Sequence, residues 1–141
     1  MKKTLVAVLF LAGCAAHVQH PGTANAFDSD AYDTLLVAHN VIESTKSDIG
    51  AGVFQANILP AVKKALNSLV DAYNALDTVY CNPQNGTIPS TGAASLQCAA
   101  SSYHALAMAG TAPVALQNQV KAAVSSVNSA TVSLSTAKKG S

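Results

Sequence analysis

Four histidines, seven carboxylates and three cysteines are the residues of this 141-residue chain best suited to chemistry. His17 and His20 stand three apart beside a proline and a glycine, with no helix to present them to one metal ion. His39 and His104 each fall beside an apolar helical stripe, where a bundle could offer His39 with His104, or His39 with Met108, as axial haem ligands. No C-x-x-C-H attachment motif accompanies them. Asp28, Asp30 and Asp33 suit the first turn of a helix, and Asp71 and Asp77 lie six apart on another, on different faces. No carboxylate pair with the geometry of a glycosidase or a di-iron site can be assembled. Ser135-Thr136-Ala137-Lys138 matches S-x-x-K, but at the end of the chain and without the S-D-N and K-T-G partners that give the motif meaning. G-x-S-x-G, H-E-x-x-H and P-loop patterns are absent. The sequence therefore predicts no catalytic residue, no metal-ligand set and no resident cofactor.

Composition narrows the partners. Half the residues are apolar and only 11% are charged, against about 25% in an average domain. That hydropathy excludes charge-driven disorder. Eight lysines, no arginine and a net charge of +1 argue against nucleic-acid binding, since no guanidinium is present to grip phosphate. The length allows one domain.

The N-terminus carries an address. Lys2 and Lys3 precede an apolar run from Thr4 to Ala12. Nine helical residues rise only about 14 Å, under half a ~30 Å hydrocarbon core, so the run suits a secretory h-region rather than a membrane span. Leu11-Ala12-Gly13-Cys14 then resembles the lipobox of bacterial lipoproteins: an aliphatic residue, two small residues and a cysteine. The resemblance is confined to these first 14 residues. It implies a diacylglycerol thioether on Cys14, cleavage before it, and acylation (typically palmitate) of the new terminus. Two or more acyl chains hold a protein stably to a bilayer where one does not. Ala15, in place of an aspartate, implies the outer membrane in a host that has one. The competing reading is a plain secretory signal cleaved after Ala24 or Ala26. On the lipoprotein reading, residues 1–13 are signal, 14–27 a flexible tether, and 28–141 the folded domain. Six lysines then face seven acids, so no basic patch reinforces membrane contact. The mature domain resembles, in general character only, short Ala-rich helical lipoproteins.

With Cys14 committed to lipid, Cys81 and Cys98 remain as an even pair flanking a segment rich in Asn, Pro, Gly, Ser and Thr. In an oxidising compartment they should form a disulfide. Helical periodicity dominates the rest. Ala31, Leu35, Ala38, Ile42, Thr45 and Ile49 recur at spacings of three and four, opened by Asp28-Ser29-Asp30 and stopped by Gly50 and Gly52. Val62, Leu66, Leu69, Tyr73, Leu76 and Tyr80 repeat the pattern after Pro60. A third helix is expected from about Ala93 to Met108. A fourth is expected from near Thr111, with Pro113 in its first turn and Leu116, Val120, Val124, Val127, Thr131 and Leu134 on one face. Ala130 to Ser135 also alternates like a strand. The expected fold is all-α: a small up-and-down antiparallel bundle of three to four helices with a disulfide-closed loop.

Two features could carry recognition: the cross-linked loop 81–98, apolar at Ile88, and the uncharged surface of the last helix through Ser125, Ser126, Ser129, Ala130 and Ser133. The sequence thus points to a non-enzymatic, lipid-anchored cell-envelope protein. It would meet the membrane through its anchor and act by binding a protein partner, by self-association or by structural presence. A small-molecule, metal or haem carrier is the alternative.

Overall fold

Helix α1 (Ala26–Gly50) begins where Asn25, in extended conformation, accepts a hydrogen bond from Asp28 N–H on its side-chain oxygen. That satisfies one of the free donors of the first turn. The cap is three residues earlier than the aspartates suggested. In this computed structural model, which describes residues 19–83, 88, 92–93 and 96–140, α1 ends at Gly50. Gly52 follows at φ +68°, a left-handed position that a side chain would strain. A turn leads to α2 (Leu59–Tyr80), with Pro60 in its first turn as the sequence required. Asn82, at φ +46°, takes the left-handed position after the Cys81 cap, and its N–H donates to the Asp77 carbonyl at 2.7 Å. A short α3 (Tyr103–Met108) and a long α4 (Val114–Lys139) complete the chain. No strand occurs among the described residues, and Ala130 to Ser135 is helical.

Most residues of the expected stripes form the core, while Ile49, Tyr73, Leu116, Val124 and Thr131 are only partly buried at its edge. Ala31, Leu35, Ala38, Ile42 and Thr45 of α1, Val62, Leu66, Leu69, Leu76 and Tyr80 of α2, and Val120, Val127 and Leu134 of α4 are all buried. Successive core residues seven apart (Val62, Leu69, Leu76; Val120, Val127, Leu134) are the repeat of supercoiled helices. Thr45, the polar member, donates its hydroxyl to the Val41 carbonyl at 2.7 Å and so enters the core satisfied. Helices α1 and α2 run antiparallel, since Tyr80 near the end of α2 reaches Asp28 at the start of α1. Helix α4 packs chiefly on α2 and less closely on α1.

Four expectations change. Among the described residues of the expected third helix, only Tyr103–Met108 is α-helical. Cys98 is bonded to Cys81, and Ala99 N–H donates to the Cys81 carbonyl at 3.0 Å, so residues 96–99 lie beside the end of α2 instead of coiling. Pro113 caps α4 from outside rather than sitting in its first turn. Ile88 is buried against the core, not displayed on the loop. Residues 19–25, expected within the tether, fold back on α1. Here the His20 N–H donates to Ser29 Oγ at 2.7 Å, Ala24 N–H donates to Asp28 Oδ2 at 2.7 Å, and Thr23 is buried. Cys14, the expected signal at residues 1–13, and His17 lie outside the described residues.

Candidate functional site

One end of the bundle gathers three stretches that are distant in sequence: residues 19–28, the end of α2 with its disulfide, and α3. Asp28 is its pivot. The first turn of α1 aims the carboxylate inward, where it has no exposure to solvent. Oδ2 accepts from Ala24 N–H, and the two oxygens lie 2.9 and 3.0 Å from His104 Nδ1. Ser102, the N-cap of α3, sets that short helix so that His104 points at α1. His104 is itself only 5% exposed. A buried carboxylate without compensating donors is strongly unfavourable. The imidazole and the positive end of α1 supply the compensation. The proton is therefore assigned to Nδ1, which donates to Asp28.

Tyr80 closes the cluster. Its hydroxyl donates to the Asp28 backbone carbonyl at 3.3 Å and lies 3.3 Å from His104 Nδ1. Burial, reinforced by the Asp28 charge, pushes the Tyr80 phenol far above its ordinary value, so it remains a proton donor. Tyr103 packs edge-on against Phe27 at 5.4 Å, and burial raises its phenol as well, opposed by a hydrogen bond from the Asn25 side chain. Tyr32 is tied to the loop by a backbone hydrogen bond from Gly92. Gly92 adopts φ +127°, a conformation suited to glycine.

His104 also lines a pocket of about 570 Å³ with Gly22, Leu96, Gln97, Cys98 and Met108 among its walls. With Nδ1 turned to Asp28, Nε2 is the ring nitrogen that His104 offers there. A second concavity, about 650 Å³, runs between α1 and α4. Val37, Val124 and Val132 give it an apolar floor, and Asp30, Asp33 and Lys139 line it too. Val37 and Val132 are more than half exposed.

The remaining sequence candidates separate. Cys81 and Cys98 form the expected disulfide, 17 residues apart. His39 stands against Tyr73, ring centres 6.1 Å apart. It lies eleven residues along α1 from Asp28, about 16 Å at 1.5 Å per residue. His104 is held at Asp28, and Met108 follows it by one turn, so neither His39–His104 nor His39–Met108 can be a pair of axial ligands. His20 packs edge-on against Tyr32 at 4.7 Å and places Nε2 3.6 Å from Asp33 Oδ1, so Asp33 faces a histidine rather than capping. Asp77 is half-buried with Oδ1 unpartnered, and desolvation pushes its carboxyl up to about 6. Ser125, Ser126, Ser129 and Ser133 are exposed on α4. The described residues contain no group of three His, Cys, Asp or Glu placed to hold a metal ion.

Sequence reasoning missed the Asp28–His104 pair. Its members are 76 residues apart, and the one local signal, Asn25 three residues before Asp28, is the spacing of a capping box. No protein-family model matches the chain, and comparisons with curated proteins and with solved structures returned no match.

Proposed function

We propose that this is a lipid-anchored protein of the bacterial cell envelope, tethered through Cys14 and acting by binding rather than by catalysis. The supporting observation is the way residues 19–25 pack on the start of α1. Residues 19–25 cap α1 and satisfy Asp28 through Asn25 Oδ1 and Ala24 N–H. A signal cleaved after Ala24 or Ala26 would strip away that cap, whereas cleavage before Cys14 leaves it intact. The link from Cys14 to Gln19 then spans at most about 18 Å, which keeps the His104 end of the bundle near the bilayer. The Cys81–Cys98 disulfide suits an oxidising compartment. The groove between α1 and α4, with exposed Val37 and Val132, is the surface offered for binding.

Intact mass of the protein from host membranes tests the reading. Loss of residues 1–13, addition of acyl chains and an intact disulfide are expected together. Cys14→Ser should abolish the acyl mass and move the protein out of the membrane fraction. A full-length, unacylated chain in the wild-type strain would refute the anchor. A second reading, a carrier of a small molecule or metal, is favoured by one observation: a nearly buried imidazole lining an open pocket.

A further inference from the structure

The His104 pocket has an unusual donor set. With Nδ1 on Asp28, the Nε2 lone pair is the free one, and no hydrogen-bond partner within the described residues takes it. Met108 lies four residues further along α3 and lines the same pocket. That spacing places two side chains on one face of a helix, about 5–6 Å apart at their β-carbons. Met108 is an apolar residue that is 55% exposed. Around the two stand Gly22, Ala93, Leu96 and Ala105, with the Gln97 amide and the disulfide-bonded Cys98 completing the wall and no carboxylate among them.

The chemistry of those donors selects a cation. Zinc takes three or four nitrogen, sulfur or carboxylate ligands, and calcium and magnesium take oxygen shells. The described residues offer no such group. A neutral imidazole and a thioether are soft, uncharged donors, the kind that favours Cu(I). A histidine that holds a metal commonly donates its other ring N–H to a carboxylate, which fixes the ring and raises its basicity. Asp28 makes that bond to His104, and its negative charge offsets one positive charge at Nε2.

We propose that His104 Nε2 and Met108 Sδ form a binding site for one soft monovalent cation, Cu(I), with Asp28 as the residue that positions the imidazole. The proposal deepens the carrier reading and does not depend on the lipid at Cys14.

Met108 also supplies the readout. The chain has two methionines, Met1 and Met108, so in a chain processed before Cys14 one methyl resonance reports the site. Metal-free protein is titrated with silver(I), the redox-inert analogue, under NMR observation. It is then titrated with Cu(I) under ascorbate in competition with bicinchoninate. Expected are shifts of the Met108 methyl and of the His104 ring, withdrawal of one equivalent of Cu(I), and at least a tenfold loss of affinity in Met108→Leu with unchanged melting temperature. Failure of the wild-type protein to withdraw Cu(I) overturns the site, as does wild-type affinity in Met108→Leu. Uptake of haem or an apolar dye without Cu(I) would overturn this site and leave the carrier reading standing. No uptake of any of the three would remove both.

Discussion

At the α3 end of the bundle, a fully buried carboxylate is held by a backbone N–H and an imidazole, beside a buried phenol. Along the α1–α4 flank the lining is mostly valine, alanine, serine and threonine, with Asp30, Asp33, Asn128 and Lys139 also lining it, and the helices stand far enough apart to leave a groove. The first region is specified by directional polar contacts between segments far apart in the chain. The second is specified by little more than the periodicity of its helices. Polar satisfaction fixes geometry closely because each missing partner is costly, while a small-residue apolar seam tolerates looseness. The first region should therefore break sharply under mutation and the second should barely respond.

The largest effect is expected from Asp28→Ala. It strands His104 and Ala24 N–H and removes the charge favoured at the start of α1, for a loss of about 3–5 kcal/mol in denaturant unfolding. A double-mutant cycle with His104→Ala should show the two losses to be far from additive, and additivity would mean that the contact is energetically idle. Cys81→Ser comes next, at roughly 3 kcal/mol for a loop of this size. It should also loosen the Gly92 contact with Tyr32, readable as faster amide exchange there. An unchanged melting temperature would assign the bond no structural role.

Asp77→Asn should act in the opposite direction and depend on pH. The folded carboxyl is raised from 3.8 to about 6 by desolvation. The native state therefore favours the protonated form, and that stability is complete below about pH 4 and lost as pH rises through about 6. Removing the ionisable group should gain on the order of 1 kcal/mol at pH 7, reduced from the full shift because the group is only half-buried. The gain should vanish near pH 4, and a pH-independent gain would point to another cause. The smallest effect belongs to the groove. Val132→Lys, on an exposed α4 position, should change stability by less than about 0.5 kcal/mol. Crosslinking to any envelope partner should nonetheless fall if that flank is the binding surface.

The same contrast explains what could be read without coordinates. The α1, α2 and α4 stripes were largely legible, because a burial pattern with a helical period is local information, although Ile49, Tyr73, Leu116, Val124 and Thr131 lie only at the core's edge. So was the Cys81–Cys98 pairing, by counting. The α3 region was not. Ala93, Leu96 and the alanines after Cys98 carry a helical preference that the disulfide and the Ala99–Cys81 backbone bond override. The Asp28–His104 contact left no periodic trace, and Gln19 to Asn25 looked like linker because Gly, Pro and Thr build a tight fold-back as readily as a tether.

The distance in sequence between Asp28 and His104 has a consequence for how the molecule comes into being. A chain emerging N-terminus first completes the α1–α2 hairpin while its partner imidazole is still unmade. Until residue 104 arrives, that hairpin can bury Asp28 only at a penalty. The contact that locks the two ends of the fold together is thus among the last that a growing chain can make.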